Sequence, residues 1–171
     1  MNNSKNSEVK DVIKRLKARV VDYMSLSQDL RDNKEIALYV LKRNGSFFRY
    51  MSDELKNDRE VAELAVSKDL FACEELTTEL KNNWSIVKAG IKNDTRYLKS
   101  IDSKYADNKE LALISLSVNS FYMHLYSQEI QEICNSLDPK ENTQRLLKAL
   151  LADNIAKSLS SSLDSDKKIK I

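Results

Sequence analysis

The sequence predicts an all-α protein, a short α-solenoid of about four 25-residue helix-pair repeats closed by N- and C-terminal capping helices. Lines begun at Leu30, Leu55, Leu80 and Tyr105 read L-R-D-N-K-E-I-A-L, L-K-N-D-R-E-V-A-E, L-K-N-N-W-S-I-V-K and Y-A-D-N-K-E-L-A-L. A fixed period of this size marks stacked units that complete one another's core. Two Gly and one Pro leave few helix breakers. Apolar residues, finally, recur in the same columns of every line.

Residues 1–29 read as the N-terminal capping helix. Its first residues, 1–6, are Asn/Ser-rich and expected to fray. Val9, Val12, Ile13, Leu16, Val20, Tyr23 and Leu26 follow at helical spacing, with Lys10, Lys14, Arg15, Lys17 and Arg19 on the other faces. The repeats occupy 30–54, 55–79, 80–104 and 105–129, and the pattern decays over 130–137. In each line the third column, Asp32, Asn57, Asn82 and Asp107, reads as a helix N-cap. Glu35, Glu60, Ser85 and Glu110 stand three residues later, where Glu closes a capping box and complements the helix dipole.

Three apolar columns then draw one buried stripe on a helix roughly 15 Å long. They are Ile36, Val61, Ile86 and Leu111; Ala37, Ala62, Val87 and Ala112; and Leu41, Val66, Ile91 and Leu116. Asn44, Asp69, Asp94 and Asn119 end that helix, as left-handed caps or as starts of a new one. A second element, short or 3₁₀, carries Phe48, Cys73, Leu98 and Met123, with Met51, Leu76, Ile101 and Tyr126 three residues on. Asp138-Pro139-Lys140-Glu141 opens a C-terminal capping helix over 138–163, apolar at Leu146, Leu147, Leu150, Leu151, Ile155 and Leu159. Residues 164–171 form a basic tail without apolar period.

Composition bounds the function. With 42% hydrophobic residues the chain can build one core. The 28 basic and 26 acidic side chains, net +2, set up no dominant field for a polyanion. Two cysteines make no disulfide framework, and no leader or apolar run of about eighteen residues is present. The expected location is cytoplasmic; export into a host cell by a leaderless route is compatible with the same features.

The lines L-K-N-D-R-E-V (Leu55 to Val61) and L-R-D-N-K-E-I (Leu30 to Ile36), with M-S-D-E-L (Met51 to Leu55) before the second, resemble an uncharacterised tandem helical-repeat family, a domain of unknown function of the 4116 type. The resemblance covers about residues 28 to 130; Trp84 and Ser85 depart from it. It implies occurrence in bacterial, protist and large-virus proteins, but no activity and no functional residues.

No residue stands out for chemistry. His124 shares its column with Arg49, Glu74 and Lys99, which places it on a solvated face without an orienting partner. Cys73 lies in the column of Phe48, Leu98 and Met123 and reads as a small buried hydrophobe. Cys134 falls where the period dissolves and is open to exposure. Capping accounts for Glu35, Glu60 and Glu110. The chain is therefore read as non-enzymatic, with no cofactor and no metal.

Two features remain as binding determinants. Trp84 replaces Lys34, Arg59 and Lys109, and Tyr39, Tyr50, Phe71 and Phe121 likewise occupy columns that are small or polar in some other line. Aromatics present in one line only are free to contact a partner, since tryptophan and tyrosine are common interface anchors; an irregular line can equally bury them. Arg31, Lys34, Lys56, Arg59, Lys81 and Lys109 align as a basic ridge, suited to phosphates or, more plainly, to surface pairing with Asp53, Glu54, Glu79 and Glu129. The reading is a protein-binding scaffold, in the setting of a host-directed, viral or bacterial effector or inhibitor, with nucleic-acid or polyanion binding through the ridge as the alternative.

Overall fold

A computed structural model describes residues 2–135 together with Lys148 and Ala152. Among these every regular element is helical, and they fall in two compact units that divide at Ile101/Asp102. The expected C-terminal helix and tail lie outside the described residues.

In the first unit, α1 (Asn2–Lys17) is followed by a 3₁₀ segment (Tyr23–Ser25), α2 (Gln28–Arg31), α3 (Lys34–Arg43), a 3₁₀ segment (Gly45–Tyr50), α4 (Asp53–Asn57), α5 (Arg59–Val66), a 3₁₀ segment (Leu70–Glu75), α6 (Thr78–Lys81), α7 (Trp84–Asn93) and a 3₁₀ segment (Thr95–Ser100). The long helices start at 34, 59 and 84, so the sequence period is also the period of the elements. α5 packs between α3 and α7, and the 3₁₀ segments pack on one another, giving two layers. Ile36, Val61, Ile86, Ala37, Ala62, Val87, Leu41, Val66 and Ile91 are fully buried between them. Each large aliphatic side chain there contributes about 1.5–3 kcal/mol by leaving water.

The second element is shorter than a helix of a pair. Its apolar residues stand three apart, the 3₁₀ period, so Gly45, Phe48 and Met51 share one buried face. Asn44, Asp69 and Asp94 start these segments in extended conformation, each side chain accepting the N–H two residues on. They are starts of new elements, not left-handed caps. A third set of starts comes from Ser52 and Thr77, which accept the N–H groups of Leu55 and Leu80 at 3.4 Å.

The long helices are capped one residue later than the sequence suggests. Asn33, Asp58 and Asn83 are the N-caps; Asn33 accepts from the Glu35 and Ile36 N–H groups at 3.0 and 3.2 Å. Two Asx residues stand in succession, and the first ends the preceding single-turn helix: Asp32 and Asn82 are the C-caps of α2 and α6. Glu35 and Glu60 consequently sit at N2, where they still face the positive end of the dipole but close no capping box.

The N-terminal stripe also resolves differently. α1 begins at Asn2, within the stretch expected to fray, and ends at Lys17. Tyr23 instead enters the column of Phe48 and Cys73, buried, with its hydroxyl donating to the Arg31 carbonyl at 3.3 Å. Residues Tyr23–Asp29 are thus part of the second half of a line, placed before the first full one.

In the second unit a 3₁₀ turn (Ser103–Tyr105) precedes α8 (Lys109–Val118), a 3₁₀ segment (Ser120–Leu125) and α9 (Gln128–Asn135). Asn108 caps α8, accepting the Leu111 N–H at 2.9 Å. Here the stripe narrows: Leu116 is half-buried, while Ser115, like Val40 and Ala65 before it, is buried, its hydroxyl 2.7 Å from that of Tyr126. Burial pushes the Tyr126 phenol up to about 12, and the Ser115 bond opposes it. Cys134 is buried, not exposed, and burial pushes its thiol up, away from the reactive thiolate.

Candidate functional site

The apolar stripe turns one face of α3, α5 and α7 inward, which leaves the opposite face of the three adjacent helices as a continuous surface. Two concavities lie along it. One, of about 670 Å³, runs between Lys34, Leu38 and Lys42 of α3 and Arg59, Glu60, Glu63 and Leu64 of α5 with its C-cap Ser67. The other, of about 600 Å³, runs between Glu63 of α5 and its C-cap Ser67 and Ser85, Lys88, Ala89 and Lys92 of α7. Glu63, Ser67 and Ala89 line both, so the two join.

Electrostatically the surface is mixed and largely self-paired. Lys34 Nζ lies 2.9 Å from both Asp58 and Glu60 of the next line. Burial pushes the Asp58 carboxyl up, but the Lys34 ammonium and the Val61 and Glu60 N–H groups outweigh it and hold it below the usual range. Arg59 makes the same reach to the following line, where Ser85 stands in place of Glu; its Nε and Nη2 donate to the Ser85 hydroxyl at 3.2 and 3.1 Å.

Trp84, third in that column, is half-buried at the first position of α7, with Lys88 Nζ 5.0 Å from its ring centroid. Tyr39 is half-buried, its hydroxyl accepting from Arg43 at 3.2 Å. Tyr50, Phe71 and Phe121 are 52%, 54% and 70% exposed on the 3₁₀ segments, in the layer away from the concavities for the first two. Phe121, in the second unit, meets Tyr122 edge to face at 4.9 Å. The aromatics do not converge on one site.

Of the basic ridge, Lys56 pairs with Glu75 at 2.8 Å and Lys109 with Glu129 at 3.5 Å. Arg31 donates to the Gln28 amide at 2.7 Å, and Lys81 is half-buried at the end of α6. The partners are mostly other acids than sequence reasoning named; Glu129 alone coincides. The surface columns it passed over are Leu38, Glu63 and Lys88 and Lys42, Ser67 and Lys92. Their signal was present, since they stand four and eight residues beyond Lys34, Arg59 and Trp84 on the same helical face. Among the described residues no cluster of three His, Cys, Asp or Glu could hold a metal ion, and no helix is long and apolar enough to cross a membrane. His124 is exposed, its Nδ1 3.3 Å from the Phe121 carbonyl.

Fold and surface define a protein that is all-helical among the described residues and whose elements recur with the sequence. Residues 22–56 and 33–81 match the model of a domain of unknown function, DUF4116. The first match begins at Asp22, the cap of the Tyr23–Ser25 segment, and the two overlap over residues 33–56. No curated protein and no solved structure matches the chain.

Proposed function

We propose that the chain is a non-enzymatic interaction scaffold, a short α-solenoid of four 25-residue lines between N- and C-terminal helical caps, that holds a partner protein on the outer face of its long helices. The reading rests above all on the joined concavities of α3, α5 and α7, where aliphatic side chains alternate with charges of both signs. A surface so composed suits a polypeptide, which offers the same mixture, better than a polyanion. The pairing of Lys34, Lys56 and Lys109 with carboxylates takes up half of the basic ridge, and that favours the protein reading over the nucleic-acid one.

The test is capture of a partner from the native host on immobilised protein. Wild type is compared with Leu38→Asp and Trp84→Lys at about 50 and about 200 mM salt, the range over which phosphate contacts lose orders of magnitude. Capture that resists salt and fails with the outer-face variants supports the scaffold. Capture lost with salt, or indifferent to both variants, overturns it.

A further inference from the structure

The chain departs from its own pattern between α1 and α3. In later lines Asn44, Asp69, Asp94 or Asn119, an acceptor, starts the segment that follows the long helix. Twenty-five residues before Asn44 stands Arg19, which has no acceptor to offer. α1 ends instead in a Schellman turn: the Val20 N–H donates to the Arg15 carbonyl at 3.0 Å and the Arg19 N–H to that of Leu16 at 3.1 Å. Arg19 takes φ 57, the left-handed conformation usually left to glycine, and it is the only non-glycine to do so among the described residues.

That turn leaves a cavity of about 310 Å³ walled by Tyr23, Tyr39, Phe47 and Leu16. The Tyr23 and Phe47 rings meet edge to face at 5.4 Å. Arg19, Arg43 and Asp22 supply its charge, two cations to one anion. Arg43 is held in place, its Nη1 donating to the Tyr39 hydroxyl at 3.2 Å and its guanidinium carbon 5.9 Å from the ring centroid. The Asp22 carboxylate is occupied by the Met24 N–H at 3.4 Å. Val20 and Met24, on either side of this wall in the chain, are 70% and 41% exposed.

We infer that this cavity receives an apolar side chain of a partner polypeptide flanked by carboxylates. The apolar group enters between Tyr23, Tyr39 and Phe47, and a carboxylate meets Arg19 and Arg43. The excess of guanidinium selects an anion, and the aromatic walls select an apolar body beside it. Exposed Val20 and Met24 extend the apolar surface past the cavity, where a polypeptide continues and a small free acid ends. Leu16, Arg19 and Val21 precede the matched stretch, and the rest of the lining lies within it. The inference takes only the class of partner from the scaffold reading and uses another surface, so its failure leaves the outer-face capture experiment standing.

The probe is the peptide acetyl-Glu-Phe-Glu-amide, titrated into the full chain while the ring resonances of Tyr23, Tyr39 and Phe47 are followed. Saturable shifts are expected. Affinity should fall at least threefold for acetyl-Gln-Phe-Gln-amide, for Arg43→Gln and for Arg19→Gly, the last of which keeps the left-handed turn and hence the fold. No saturable shift, or equal binding by the neutral peptide or by both variants, overturns the inference. So does 3-phenylpropionate binding as tightly as the peptide, which would make the cavity a site for free acids.

Discussion

α5 and α7 occupy the same place in successive lines, yet they fill it differently. In the α5 line the inner column holds Ala65 and the 3₁₀ segment below it Ala72, both buried. The α7 line has Gly90 and a fully buried Tyr97 in those positions. A Cβ on Gly90 would lie 2.6 to 2.8 Å from the Tyr97 ring, closer than atoms pack. The ring occupies the room that the missing methyl leaves. What is kept between lines is therefore the fit of a pair of columns, and not the identity of either residue.

The largest break in this comparison is Tyr97→Ala. It empties a buried aromatic site and should cost about 3–5 kcal/mol, read from denaturant unfolding. Gly90→Ala comes next. Helix propensity favours the alanine by up to about 1 kcal/mol, but overpacking against the ring costs about 1–3 kcal/mol, so the net change is destabilising. The sharper version places Gly90→Ala in a Tyr97→Ala background, recreating the Ala–Ala pair of the α5 line. The sign should then reverse and the added methyl should stabilise. Destabilisation in both backgrounds would mean that the ring is not what excludes a side chain at 90.

The caps differ by less. Asp58 accepts two N–H groups and pairs with Lys34, whereas Asn83 accepts from the Ser85 N–H and hydroxyl. Replacing either by alanine should cost about 0.5–2 kcal/mol, with Asp58→Ala the larger; equal losses would show that the ion pair adds nothing. The smallest effect is in pH. With its carboxyl held below the usual range, Asp58 contributes stability that is present above its unfolded value of about 3.9 and lost as pH falls below that and through the lower folded one. Amide exchange at Glu60 and Val61 should quicken on acidification, and Asp58→Asn should flatten that response. The start of α7, capped by an uncharged Asn83, should show none of it.

Much of this was legible in the sequence because the lines align against one another. Columns 36, 37 and 41 and their counterparts through α7 are apolar without exception, and all are buried. Leu116 departs from its column, half-buried where Leu41, Val66 and Ile91 are fully buried, while Ser115 stays inside with a hydrogen bond to Tyr126 that no column of residue types announces. The cap was misplaced by one residue because either Asx of a pair can accept, and only the single-turn helix before it decides which is taken. Tyr23 was read as helix because three-residue spacing serves an α-helix and a 3₁₀ turn alike. At the surface, exposure depends on what neighbouring helices cover: Phe71 stands out at 54% while Trp84, of similar promise, lies half-covered. The concavities escaped notice because they belong to columns that vary in type from line to line.

The start signals, finally, stand at fixed offsets: Asn33, Asp58 and Asn83 for the long helices, Asn44, Asp69 and Asp94 for the 3₁₀ segments, Ser52 and Thr77 for the single turns. A chain punctuated this way is indifferent to where a splice falls. Removing 25 residues from any point between α3 and α7 rejoins the same order of starts and columns, whereas removing 24 turns a core column toward water. Unequal recombination among the lines would therefore yield foldable products only in whole steps. The length of the outer face becomes an inherited quantity, adjusted by about 10 Å at a time.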